Sequence, residues 1–292
     1  MMSTKIIILS THYTPGANAL DEYYTIATKH IIIKTFQHTK QILLCTQIIL
    51  QVYDTAYKSS IYYLCNAMKT EIIGTSDGSY TLKNEYFGET YHSINGALSE
   101  SIHIFINLGL RNFRDSEINI LEIGYGTGLN AMLTYIENIQ LGNKIKYHSI
   151  EKYPISEADF FEYATNTKQI SDKIDPDTLR KFGNGWNEEI QISNNFKLYK
   201  QVVDFTQFIP CEKYNLIYFD AFSPETQPEM WTEENLGKIV EQLEDDGIFV
   251  TYCSKGIVKQ ALRNLGLTVR RMPGPAGKRH VLQAIKHIEK CY

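Results

Sequence analysis

Leu121-Glu122-Ile123-Gly124-Tyr125-Gly126-Thr127-Gly128-Leu129-Asn130 is the stretch that decides the fold class of this 292-residue chain. A β-prone apolar run, 118–123, ends in glycines at alternate positions, and a run with helical periodicity, 129–139, follows without a linker. Glycines so spaced let the backbone turn tightly and approach a ligand with no Cβ in the way. A lone G-x-G-x-G is weak evidence, but a strand before it and a helix after it put it where open α/β sheets bind ligands. Counted from Gly124, the dinucleotide fingerprint G-x-G-x-x-G requires a third glycine where Leu129 stands, so in that register a nicotinamide site does not match.

Outward from this turn the pattern alternates. Strands are expected at 145–151, 196–203, 214–220 and 248–253, and helices at 156–165, 229–243 and 255–265. Such alternation implies a parallel sheet covered on both faces. The last two β-prone runs, 268–272 and 280–285, are separated by a connection too short for a parallel crossover, so they pair antiparallel. Before the turn, 71–82 reads as a hairpin around Ser76-Asp77-Gly78-Ser79, and 94–112 as one helix. The polar segment 166–195 reads as an insertion with local helix. The expected fold class is α/β: a Rossmann-like class I methyltransferase sheet, mostly parallel, closing with an antiparallel C-terminal hairpin.

Acids stand at successive strand ends. Glu122, immediately before Gly124, Gly126 and Gly128, suits the amino group of an amino-acid cofactor, and Asn130 follows in the first helical turn. Glu151 ends the second strand, where a carboxylate accepts from both ribose hydroxyls, and Asp204 follows the third, suited to an adenine exocyclic amine. Each acid alone also fits a solvated strand end; three on one edge point to S-adenosylmethionine as cofactor. Asp220 and Phe222 follow the fourth strand, beside where a transferring methyl would lie.

Here the sequence resembles the methyltransferase domain of MnmC-type tRNA wobble-uridine modification enzymes. The stretches that carry the resemblance are DGSYTLKNEYFGETYHSINGALSESIHIFI, LEIGYGTGLN, DAFSPETQPEMW, TYCSKG and GPAGKRH, spread from about residue 71 to 286. The resemblance implies methyl transfer from S-adenosylmethionine to the amine of 5-aminomethyl-2-thiouridine at the tRNA wobble position, giving the 5-methylaminomethyl product. It implies a stand-alone version lacking the oxidoreductase domain, so that a separate enzyme supplies the aminomethyl precursor. Asp220 is then expected to hold the amine and take its proton, and Phe222 to stack on the uracil. Tyr91, Ser93 and Glu100 are expected to form a lid over the cofactor, although turn and cap chemistry explains them equally well. His92 is expected to be a buried, hydrogen-bonded histidine, and Trp231 to be packing. A methyltransferase or aminopropyl transferase acting on a small-molecule amine is the alternative.

Composition is that of a globular protein, 43% hydrophobic and 21% charged, with net charge −4. An acidic total does not advertise RNA binding, but Lys255, Arg263, Arg270, Arg271, Lys278 and Arg279 concentrate near the carboxyl end and offer a phosphate-binding face. The five cysteines have no C-x-x-C spacing, so no metal site is expected and reduced cytoplasmic thiols are the simplest reading. The apolar run 42–53 is interrupted by polar residues and falls short of the ~20 residues that span a bilayer, so no membrane partner is expected. Residues 1–67 differ in character, with one glycine, one proline and no arginine. They are expected to be an atypical N-terminal extension, with a strand at 5–9 and helix from about 27, or upstream sequence ahead of a true start at Met68. The methyltransferase domain is expected to be 68–292.

Overall fold

A computed structural model describes residues 70–287. The expectations for 1–67 and for a start at Met68 lie outside these residues.

The central strand is β3, Glu117–Ile123, in which every residue from Ile120 to Ile123 is buried. Continuous burial is what a parallel strand covered on both faces requires. Ile120 belongs to one hydrophobic core, with Tyr147, Leu198 and Leu216. Its neighbour Leu121 points the other way, into a second core with Ile217, Phe219 and Phe249. On one side of β3 lie β4, Lys144–Glu151, and then β6, Phe196–Val202; on the other lie β7, Tyr214–Phe219, and β8, Leu243–Thr251. These five strands run parallel. Chain order therefore reverses between β3 and β7, and the crevice outside their carboxyl ends is the ligand position of this architecture.

The sheet ends in β9, Thr268–Pro273, and β10, His280–Ile285, antiparallel to each other, with β10 also antiparallel to β8. The C-terminal hairpin is thus as the sequence implied. A second, two-stranded sheet joins β1, Thr70–Gly74, to β2, Tyr80–Asn84. Helix α1, Ala97–Ser101, follows it, and the main helices after that are α2, Leu129–Leu141, α3, Glu157–Asn166, α4, Lys168–Ser171, α5, Pro176–Gly183, α6, Glu233–Val240, and α7, Gly256–Asn264.

Three expectations need correction. The single helix over 94–112 is instead α1, a π-helical stretch at Ile102–Asn107 and a 3-10 turn at Leu110–Asn112. Gly96, at φ 142°, prevents an earlier start, and widening to i→i+5 bonds buries Ile104, Phe105 and Ile106 together. The insertion 166–195 contributes not only α4 and α5 but also a strand, β5, Glu189–Ser193, antiparallel to β6 at the sheet edge. Its alternation of Ile190 and Ile192 with polar residues is a strand pattern that the surrounding polarity hides. The helix expected over 229–243 begins four residues late, because Pro228–Trp231 is a 3-10 turn and Thr232 caps α6 by accepting from Asn235 N at 3.2 Å. The helix also ends at Val240, and at Leu243, its expected end, the chain has already entered β8, expected only from 248.

The insertion is bound to the glycine turn from below. Lys200 on β6 is fully buried, and its Nζ donates to the Phe182 carbonyl at 2.5 Å while lying 4.8 Å over the Trp186 ring and 5.1 Å over the Tyr125 ring. The Tyr125 hydroxyl donates to the same carbonyl at 2.8 Å.

Thr232→Ala removes the α6 cap and should cost about 0.5–2 kcal/mol in urea denaturation. An unchanged midpoint would refute the capping role.

Candidate functional site

The turn after β3 is held by the two strands beside it. Gly124 has φ 91°, and a Cβ there would sit 2.7 Å from the Asp220 carbonyl oxygen at the end of β7. Gly126, at φ 52°, donates its N–H to Glu151 Oε2 at 3.0 Å, at the end of β4, and a Cβ would sit 2.8 Å from the Tyr91 ring. Left-handed backbone and close approach on two sides leave room only for glycine.

Above the turn opens a cavity of about 810 Å³. Gly124, Gly126, Glu151, Asp204, Asp220, Phe222, Tyr91, Ser93 and Glu100 all line it. Seven carboxylates face it, those of Glu89, Glu100, Glu151, Asp204, Asp220, Glu225 and Glu229, against two amines, of Lys152 and Lys278. Such a wall attracts cations and repels phosphate.

Three of the residues expected at the cofactor do not reach the cavity. Glu122 lies fully buried behind the turn, where its Oε2 accepts from Ser149 Oγ at 2.7 Å. Strand alternation explains this: Ile123 lines the cavity, so its predecessor faces the core. Glu122 therefore does not line the cavity. Gly128 is the left-handed cap of α2, and buried Asn130 acts through its Nδ2, which donates to Asp220 Oδ2 at 2.8 Å.

The remaining acids differ in how free they are. Glu151 Oε1 accepts from Tyr153 N at 2.9 Å, so each of its oxygens braces a backbone amide, and burial raises its pKa. Asp204 ion-pairs with Lys152 at 2.7 Å, and its Oδ1 accepts from Thr206 N at 2.8 Å. Burial pushes its pKa up, but these partners outweigh it and the net shift is downward. Glu100 accepts from Lys278 Nζ at 2.8 Å through Oε1, while its buried Oε2 has no partner among the described residues. Asp220 is pushed up to about 7, first by burial and then by the Glu100 charge, with the Asn130 bond opposing.

Several lining groups were not legible in the sequence. Glu89 accepts from Ser223 Oγ at 2.7 Å and also from Thr226 Oγ1, tying the segment after β2 to the loop after β7. The Phe222 ring lies 4.7 Å from Phe87 and 5.3 Å from Tyr91, making an aromatic wall. Lys278 reaches in from the β9–β10 connection and lies 4.2 Å over the Tyr252 ring. Half-buried His92 is bonded to Thr127 Oγ1 at 2.7 Å and held down to about 4 by burial and Lys278, so it is neutral at pH 7. Trp231 is buried against Phe219 and donates to the Phe222 carbonyl at 2.9 Å. Among the described residues there is no cluster of metal-ligating side chains, and no helix is long and apolar enough to cross a membrane.

Residues 172–287 match a family model described as S-adenosyl-L-methionine-dependent methyltransferase. Over 216 residues the chain is 28% identical to the tRNA 5-methylaminomethyl-2-thiouridine biosynthesis bifunctional protein MnmC of Leptospira borgpetersenii, covering 68% of this chain and 32% of that protein. It thus spans about a third of the length of that relative. Over 226 residues it is 30% identical to an uncharacterized protein of Methanocaldococcus jannaschii, covering 74% of this chain and 59% of that one. The fold is like that of MNMC2 from Aquifex aeolicus, with TM-score 0.59 and 22% identity over 91% of this chain and 83% of that one.

Two outcomes follow from the site geometry. Gly126→Val, which forces strain of about 1–3 kcal/mol onto the turn, should weaken S-adenosylhomocysteine binding about tenfold or more in calorimetry; unchanged affinity would remove the turn from the site. Asp220 binds its proton more tightly when folded, about 7 against an ordinary 3.8, so its stability contribution is full below the lower value and lost as pH rises through the upper. Asp220→Asn should therefore melt higher than the parent at pH 8, with the gap closing at pH 4. A gap independent of pH would contradict the assignment.

Proposed function

We propose that this chain, an S-adenosylmethionine-dependent methyltransferase, methylates the amine of 5-aminomethyl-2-thiouridine at the tRNA wobble position, and that residues 68–292 form the unit that does so. The observation that carries the reading is the place of Asp220: at the reversal of strand order, between the glycine turn and the aromatic wall of Phe222, in a cavity whose charge selects a cationic amine. The name of the relatives, for 5-methylaminomethyl-2-thiouridine biosynthesis, supports reading that amine as the aminomethyl group of a wobble uridine.

The residues present fit the cofactor. Glu151 retains lone pairs for a ribose diol beyond its two backbone bonds, and Asp204 marks the adenine end beside Phe205. The orphaned Glu100 Oε2, buried and at the cavity wall where Glu122 is not, is the acceptor suited to an ammonium group. When bound, S-adenosylmethionine supplies an electrophilic methyl group on a sulfonium sulfur.

Asp220 would hold the substrate nitrogen by a hydrogen bond and take one proton from its ammonium form, freeing the lone pair that accepts the methyl group, and the methylated nitrogen then keeps its remaining protons. With its pKa raised to about 7, Asp220 is basic enough to accept that proton and still ionised in half or more of the molecules above that pH. Asn130 fixes the carboxylate in place, and Phe222, backed by Phe87 and Tyr91, offers its ring to the uracil. Alignment of the two reactants supplies much of the acceleration.

The same acidic cavity would take a small-molecule amine, and the test separates the two. Purified protein is incubated with labelled S-adenosylmethionine and tRNA carrying the aminomethyl precursor, and the digested nucleosides are identified by mass. Methylated wobble uridine is the expected product. Intact cofactor binding with label only on added small amines would overturn the tRNA assignment. Asp220→Ala should lower transfer about 10²–10⁴-fold while leaving S-adenosylhomocysteine affinity near that of the parent.

A further inference from the structure

Behind the glycine turn, three polar side chains to which the transfer reaction gives no task, those of Glu122, Tyr147 and Ser149, gather beside Asn130 and Asp220. Glu122 on β3 and Asp220 after β7 stand at the ends of adjacent parallel strands. Asn130, in the first turn of α2, interacts with both: its Nδ2 donates to Asp220 Oδ2 at 2.8 Å, and its amide also faces Glu122. Tyr147 on β4 turns its hydroxyl toward Glu122 as well, and Ser149 donates to Glu122 Oε2. Three buried atoms in this group have no partner among the described residues: Glu122 Oε1, Asn130 Oδ1 and the Tyr147 hydroxyl.

An anionic Glu122 does not suit this surrounding. It is fully buried, and the groups that act on it are Ser149, Asp220, Asn130 and Tyr147, none of them a cation. A charge so placed is neutralised by a proton unless something pairs it. The other carboxylate of the set, Asp220, opens on the cavity and feels the positive charge of Lys278 besides the negative charge of Glu100. Two acids coupled through one amide do not both ionise readily, and the better-solvated one keeps the charge. A proton on Glu122 also brings to the cluster a donor for the orphaned Asn130 Oδ1, which can only accept.

We propose that Glu122 is a neutral carboxylic acid in the working protein and a positioning residue, which holds the Asn130 amide so that Asn130 in turn orients the Asp220 carboxylate. The positioning part rests on the role given to Asp220 above; the protonation part does not. Burial supports the same assignment, holding Glu122 up at about 8. The groups that face the pair are Tyr125, Tyr147 and Tyr218 around Glu122, and Glu100, Lys278 and Tyr252 around Asp220.

The test has two arms. Infrared spectra of ligand-free protein at pH 7, with carboxyl carbons isotopically labelled, should contain the carbonyl stretch of a protonated carboxylic acid that E122Q removes and D220N keeps. Absence of that band, or its survival in E122Q, overturns the proposal whether or not tRNA is the substrate. In single-turnover methyl transfer, E122L should lose about tenfold in rate with S-adenosylhomocysteine affinity unchanged, and E122Q should restore most of it. The pH midpoint of the E122Q profile should coincide with the parent's. A midpoint moved to lower pH, as loss of an anionic neighbour would produce, overturns the neutral assignment. A slow E122L that E122Q does not restore overturns the positioning role.

Discussion

Three left-handed glycines in five residues exist at the end of β3 because the neighbouring strands close on them from both sides. The Asp220 carbonyl blocks any side chain at Gly124, and the Glu151 carboxylate captures the amide of Gly126. The turn is therefore not a flexible loop but the place where β3, β4 and β7 are locked in register. Cofactor-side and acceptor-side groups share that lock. Glu151 and Asp220 are set opposite one another by the backbone they brace, before any ligand enters.

The cavity carries a cost in return. Seven carboxylates around one space repel each other, and burial lifts both Glu151 and Asp220 above their ordinary range. Stability is spent on a wall that only a cation can neutralise, a common trade in reactive sites. Lys278 and Lys152 relieve part of it by pairing with Glu100 and Asp204.

Much of this architecture is local in origin and so was legible in the sequence. The parallel strands, the hairpin at the end and the glycine turn each declare themselves within a dozen residues, by period and by punctuation. What was not legible depends on partners far away in the chain. Strand β5 is recognisable only once β6 is beside it. Lys278 pairs with Glu100 across 178 positions, and no spacing rule announces that. Glu122 fails for a different reason: the motif places an acid before the glycines, but only the pleat decides which of two neighbours, Glu122 or Ile123, looks outward. Asn130, expected from its place after the glycines, has a hydrogen bond to Asp220 that no spacing rule announces.

The tie from Glu89 to Ser223 and Thr226 has its own bearing on how the protein comes into being. Its two sides are 134 residues apart, so during synthesis Glu89 emerges long before its partners and waits, unpaired, through the making of β3 to β7. Closing so long a loop is worthwhile only after the sheet has brought its ends together. The acceptor pocket is thus a late product of folding, completed together with the Asp220 carbonyl that closes on Gly124, since Ser223 follows Asp220 by three residues.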